Sequence, residues 1–186
     1  MKLLAAVDQN WGIGLRSELL VRLSDDMKRF RRLTDGGILI YGRRTLETFP
    51  RARPLPGRLN IIMSRQSDYQ VNGARVCHSL SELGRTLLSE AERPIWVIGG
   101  ESLYRQLLPF CCYAFITKVD SRREADAYIP DLDADVKWHL VRQEPWLSGI
   151  NSMNTAEEEN LRFRYCQYQQ SVAFGLEQLA RYDDMV

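Results

Sequence analysis

Chemistry is concentrated at a few places in this 186-residue sequence. Two adjacent carboxylates, Asp25 and Asp26, follow Ser24, which can cap a helix-period segment running to about Leu33. Helical spacing separates their environments. Asp26 shares a face with Phe30 and Leu33 and is flanked by Met27, whereas Asp25 lies with Lys28, Arg29 and Arg32. Asp25 therefore reads as a solvated first-turn acid. Asp26 points toward apolar surface, where a carboxylate must find hydrogen-bond donors. Burial raises the pKa of such a group and a helix start lowers it. Asp26 serves either the helix dipole alone or a ligand rich in N–H donors.

Two apolar runs end in glycine before a helical segment: Ile38-Leu-Ile-Tyr-Gly42-Arg43-Arg44-Thr45 and Trp96-Val-Ile-Gly99-Gly100-Glu-Ser102. Glycine lets backbone approach a ligand closely, and a helix start offers free N–H donors to an anion. Two such junctions can hold the two phosphates of a dinucleotide, or each glycine can simply make a tight turn. The sequence contains neither G-x-G-x-x-G nor a Walker loop. Arg43 and Arg44 at a helix start oppose its dipole unless an anion faces them. Ser64-Arg65, after a third run, can complete the same pocket, which suits the 2′-phosphate of NADP; a solvated basic cluster is the alternative.

The elements that must position these groups are short apolar runs alternating with helical segments, the pattern of an α/β fold. The runs are Leu3–Val7, Ile38–Tyr41, Leu59–Met63, Ile95–Ile98 and Ala114–Val119. Several lack alternation, as do strands buried on both faces of a parallel sheet. Trp138–Arg142 and Leu161–Tyr168 alternate better and read as antiparallel strands, a closing hairpin. Further helices are expected from Arg44 to about Phe49, from Ser79 or Ser81 to about Ala91, and from Glu101 to Leu108 before Pro109. The segment Asn10-Trp-Gly-Ile-Gly14-Leu-Arg-Ser17-Glu-Leu-Leu20 is long for a connection and reads as a lid. The tail from about Ser171 is weakly amphipathic.

Length and charge bound the class. One domain with a tail is expected at this size. Lys and Arg total 25 against 24 Asp and Glu, a net charge of +1, without the basic excess of a nucleic-acid or membrane-surface protein. Cys77, Cys111, Cys112 and Cys166 form no C-x-x-C pair, and Cys77-His78 lacks the ligands of a metal site. Free thiols, no signal peptide and no transmembrane-length run point to the cytoplasm.

Together these residues resemble the dihydrofolate reductase family. The resemblance rests on Ala5-Ala6 with Gly12-Ile-Gly14, Asp26 with Phe30 and Thr34, Gly42-Arg43-Arg44-Thr45, Arg53-Pro-Leu-Pro-Gly-Arg58-Leu-Asn60 with Ser64, Val97-Ile-Gly99-Gly100 with Tyr104, and Thr117 before Asp126 and Pro130. It runs from Leu3 to about Tyr168, and the joint order and spacing are highly specific. It implies a three-layer α/β fold: an eight-stranded, mostly parallel sheet with a C-terminal antiparallel strand, flanked by about four helices. Residues 1–170 would form the reductase domain, with an adenosine-binding subdomain at about 37–92, and 171–186 a tail. The implied reaction is NADPH-dependent reduction of 7,8-dihydrofolate to tetrahydrofolate, open to antifolates, in a monomer.

By the same resemblance, Asp26 holds the pterin through its 2-amino group and N3, and Thr117 supports Asp26. Ala6, Leu19, Val21, Phe30, Phe49, Leu55, Ile98 and Tyr104 line the substrate site, and Arg58 pairs with the glutamate α-carboxylate. Ile13, Gly14, Gly42, Arg43, Arg44, Thr45, Ser64, Arg65, Gly99, Gly100 and Ser102 face the cofactor, with a cis peptide at Gly99-Gly100. One place departs from the family. Leu20-Val21 stands where Pro-Trp is usual, which removes an indole N–H that would hold a water near the pterin. A non-catalytic folate binder is the alternative this departure supports. A pyrimidine reductase of the same fold, from riboflavin synthesis, would need a phosphate site in place of the acid.

Overall fold

The computed structural model describes residues 1–90, 92–153 and 159–182. Its main sheet contains β1 (Lys2–Val7), β4 (Ile38–Gly42), β5 (Leu59–Met63), β6 (Arg75–Cys77), β7 (Ile95–Val97), β8 (Tyr113–Val119), β10 (Trp138–Gln143), β11 (Leu147–Asn151) and β12 (Glu159–Gln170). Eight of these follow the order β10-β12-β8-β1-β7-β4-β5-β6, and β11 pairs β12 as a ninth. From β8 to β6 every pairing is parallel; β12 runs antiparallel to β8, β10 and β11. The closing unit is therefore β10-loop-β11-β12 rather than a simple hairpin of the two expected strands.

The unalternated runs have the expected cause. Ile38, Ile40, Ile61, Ile95 and Val97 face one core, with Leu83, Leu87, Leu103 and Leu107 from α3 (Leu80–Leu88) and α4 (Glu101–Leu107). The intervening Leu39, Tyr41, Ile62, Trp96 and Ile98 face a second core, with Phe30 and Leu33 from α1 (Ser24–Thr34) and Leu46 from α2 (Arg43–Glu47). Both faces are covered, so both sets of alternate positions must be apolar. The three layers follow directly.

Helix ends differ from expectation in detail. Ser24 is the first helical residue of α1 and caps nothing; extended Leu23 precedes it without a side-chain cap. Asp25 and Asp26 instead sit in the first turn, where negative charge suits the dipole. Helix α2 stops at Glu47, short of Phe49, because a separate 3-10 turn begins at Pro50. Ser79, not Ser81, caps α3, its Oγ accepting from Glu82 N at 3.1 Å. That helix ends at Leu88; Ala91 lies outside the described residues.

The expected lid is an ordered hairpin. β2 (Gly12–Leu15) and β3 (Glu18–Leu19) turn through Arg16 and Ser17, both at positive φ, and β9 (Ala127–Tyr128) pairs β2 on its other side. Non-glycine residues in the left-handed region give no turn signature, so this hairpin is hard to see in sequence.

The tail has a definite seat. α5 (Leu176–Ala180) packs on α3, and Leu179 is fully buried. Gly84 permits this contact, since a Cβ there would meet Ala180 N at 2.3 Å. Phe174 and Tyr182 add edge contacts to Phe110. Residues 183–186 lie outside the described region. Leu179→Ala is expected to cost roughly 2–5 kcal/mol in urea unfolding. Gly84→Ala should displace the same helix, so the double variant should lose less than the two single losses added. Fully additive losses would show that the two residues do not act through one contact.

Candidate functional site

The carboxyl ends of β1, β4, β5 and β7 open into one continuous cleft of about 2210 Å³. That is larger than one small ligand needs and leaves room for two side by side. Every residue expected to face substrate or cofactor lines it: Ala6, Leu19, Val21, Phe30, Phe49, Leu55, Arg58, Ile98 and Tyr104, and Ile13, Gly14, Gly42, Arg43, Arg44, Thr45, Ser64, Arg65, Gly99, Gly100 and Ser102. Asp26 also lines it, whereas Thr117 does not. Thr117 is fully buried on β8 behind Asp26, and its hydroxyl donates to Asp26 Oδ1 at 2.5 Å.

Burial decides the opposition between the two influences on Asp26. Its pKa is raised above the ordinary carboxylate value because water is withdrawn from it. The Thr117 hydrogen bond and the Arg29 charge oppose this without overcoming it. Asp25 behaves as expected, exposed and paired with Lys28 at 2.9 Å. Arg29 does not. It lies three residues after Asp26 as well as four after Asp25, and the structure turns it inward, with its guanidinium 4.1 Å from the Tyr165 ring.

At one end of the cleft, Arg58 is fixed by three acceptors: Thr34 Oγ1, Pro56 O and Arg31 O. Three of its five N–H donors are thereby used, and two remain for a carboxylate. Its loop is clamped by buried Asn60, whose side chain accepts from Leu55 N and donates to Leu55 O and Arg58 O. Tyr41 Oη also donates to Asn60 Oδ1, and the Tyr41 ring packs against Phe49 at 5.0 Å. This supporting role of Asn60 was not apparent from sequence, because it depends on the loop folding back by five residues.

At the middle, the two glycine junctions meet. Gly42 N donates to Gly99 O at 2.8 Å, and the Gly99–Gly100 peptide is cis. Gly99 has φ of 117°, and a Cβ on it would press the Tyr104 ring at 3.2 Å. A Cβ on Gly100 would lie 3.6 Å from Thr45 Oγ1. The bare backbone makes a cradle that side chains would fill, as a flat ring or a phosphate beside it requires. Tyr104 is itself tied down, donating to Leu4 O.

At the other end, exposed Arg43, Arg44 and Arg65 gather with buried Ser64 and with His78, whose Nδ1 lies 2.9 Å from Ser64 O. Glu47 is 3.9 Å from Arg43, an exposed and weak pairing that leaves the cluster positive. These residues fit the phosphates of a dinucleotide. In sequence His78 stands out only as half of a Cys77-His78 pair without further metal ligands; it joins the cleft because parallel β6 ends beside β5.

The lid hairpin contributes Ile13, Gly14, Ser17, Glu18 and Leu19 to the wall of the cleft. Arg16 N donates to Asp126 Oδ2 at 2.8 Å, and Asp126 N to Gly14 O at 3.0 Å. At the other side, Ser152 N and Oγ both donate to Arg22 O at 2.8 Å. Leu20 and Val21, between these anchors, are buried in a third core with Leu23, Leu161 and Phe163.

Comparison with known proteins agrees with this geometry. Residues 1–170 match the family model for dihydrofolate reductase. The chain is 38% identical over 151 residues to the dihydrofolate reductase of Mycobacterium leprae (strain TN), covering 81% of this chain and 86% of that protein. It is 33% identical over 139 residues to the dihydrofolate reductase of Bacillus subtilis (strain 168), covering 75% and 80%. Its fold matches a dihydrofolate reductase from Enterococcus faecalis complexed with NADP(H) and RAB-propyl, with a TM-score of 0.72 and 27% identity, over 91% of this chain and 95% of that one. The chain belongs to the dihydrofolate reductase family.

Proposed function

We propose that Asp26 anchors the pterin of the substrate, that Arg58 takes its glutamate, and that the Gly99–Gly100 cradle seats the nicotinamide. The reaction is the NADPH-dependent reduction of 7,8-dihydrofolate to 5,6,7,8-tetrahydrofolate. The observation that supports these roles best is the Thr117-held carboxyl of Asp26, withdrawn from water inside the cleft. NADPH, when bound, supplies a hydride for pterin C6.

The chain's own contribution is placement and electrostatics. Asp26, fixed at Oδ1 by Thr117, accepts from the pterin 2-amino group and N3 and so sets the ring's orientation. It need not hand over a proton; water passing the lid hairpin delivers one to N5. Arg58 offers its two remaining N–H donors to the α-carboxylate. Phe30, Phe49 and Leu55 wall the apolar middle of the substrate. Arg43, Arg44, Thr45, Ser64 and Arg65 hold the phosphates, and His78 adds a ring nitrogen beside them. We place the protein in the cytoplasm as a monomer that antifolates inhibit; its four cysteines are free thiols. A pyrimidine reductase would need a phosphate site where Asp26 stands.

Asp26→Asn separates catalysis from stability. Loss of NADPH absorbance with dihydrofolate should fall by about a hundredfold or more. The folded pKa of Asp26 is raised, so the ionised group costs stability above that pKa, and the cost fades as pH falls toward the unfolded value. The variant should therefore melt at higher temperature than wild type at pH 7, with the gain shrinking toward pH 4. Wild-type turnover in the variant would contradict the anchor. No turnover in either protein, with methotrexate still bound, would identify a non-catalytic folate binder.

Val21 gives a second expectation. It lines the cleft where the family usually presents an indole, and its smaller, apolar side chain offers no N–H donor to a water there. Val21→Trp should raise steady-state turnover by restoring an N–H donor there. Unchanged or lower turnover in a folded variant would count against this reading.

A further inference from the structure

Arg29 is a half-buried cation that the residue roles above do not use. Its guanidinium lies 4.1 Å from the centre of the Tyr165 ring and 5.9 Å from that of Phe115. Its Nη1 is buried with no hydrogen-bond partner among the described residues. A cation so placed carries a desolvation cost that the two rings offset only in part. It forms no direct ion pair within 4 Å among the described residues, yet a carboxylate stands one helical turn away on α1.

The strand register explains the arrangement. Tyr165 on β12 pairs with Thr117 on β8, so the two side chains lie on one face of the sheet. Phe115, two residues before Thr117, points to that same face. Thr117 grips Asp26, and Tyr165 with Phe115 grips Arg29. Two successive grips on α1 fix the carboxylate and the guanidinium relative to each other.

We propose that Arg29 is a positioning residue for the acid: stacked on Tyr165 one helical turn along α1, it holds a fixed positive charge near Asp26 that favours the ionised carboxylate in the cleft. The inference rests on Asp26 being the pterin anchor. The other titratable groups that feel Asp26 are Tyr165 from β12 and Tyr104 from α4, while Asp25 from α1 acts on Tyr165. Glu144 and Arg32 face Arg29 with opposite effects on it. Tyr165 is pushed up to about 12, so it stays a neutral platform across the working range. Among these groups Arg29 carries the positive charge that favours ionised Asp26.

The test is a carbon NMR titration of side-chain-labelled aspartate in the full chain, with the Asp26 signal assigned by its absence in Asp26→Asn. Arg29→Met keeps the apolar stacking and removes the charge. It should raise the Asp26 midpoint by about one pH unit, a tenfold stronger hold on the proton. The pH profile of single-turnover hydride transfer should move by the same amount. Arg29→Gln, a second neutral variant, should shift both as Met does, and Arg29→Lys should restore most of the wild-type midpoint. An Asp26 midpoint unmoved in folded Arg29→Met and Arg29→Gln would overturn the proposal. Wild-type turnover in Asp26→Asn would overturn the anchor reading beneath it, a separate and distinguishable failure.

Discussion

The structure turns on one constraint: a carboxyl taken out of water must be held by groups that cannot move. Asp26 meets this through Thr117, whose hydroxyl reaches it from β8. Helix α1 supplies the acid and the interior of the sheet supplies the donor, so their relative placement fixes the site. Two grips on α1, at Asp26 and at Arg29, make that placement definite. Ordinary helix packing tolerates small shifts, but a short hydrogen bond to a buried carboxyl does not.

The remainder of the fold serves this seam. Because β4 pairs both β5 and β7 in parallel, their carboxyl ends emerge together at one crest. The crest is where parallel α/β sheets present ligands. Its two glycine junctions are joined by Gly42 N to Gly99 O, which leaves bare backbone between the acid and the basic cluster. The cleft thus grades from Arg58 through an apolar middle to Arg43, Arg44 and Arg65. Charge sits at its ends and one buried acid at its centre, an order that fits a substrate and a dinucleotide meeting in the middle.

Most of this was legible because it is local. A glycine after an unbroken apolar run, or an acid in register with Phe30 and Leu33, carries its meaning within a few residues. The same locality failed at Arg29. Spacings of three and four residues both share a helix face, so Arg29 could be grouped with Asp25 or with Asp26, and only the Tyr165 ring decides. Strands β6 and β9 are too short to show alternation, and β11 is half-exposed at the sheet's edge. The lid hairpin turns through Arg16 and Ser17, which carry no glycine signal. The tail's purpose becomes visible only when Gly84 is seen against Ala180, a contact nearly a hundred residues distant in sequence.

The most direct test of the central constraint is the rate of hydride transfer in a single turnover of Thr117→Val, a substitution that keeps shape and removes the donor. Loss of a hydrogen bond to a charged, buried partner costs about 1.5–3 kcal/mol, so the rate should fall roughly tenfold to a hundredfold. The variant should stay folded. Hydride transfer at the wild-type rate would show that the Thr117–Asp26 bond does not hold the acid for the reaction.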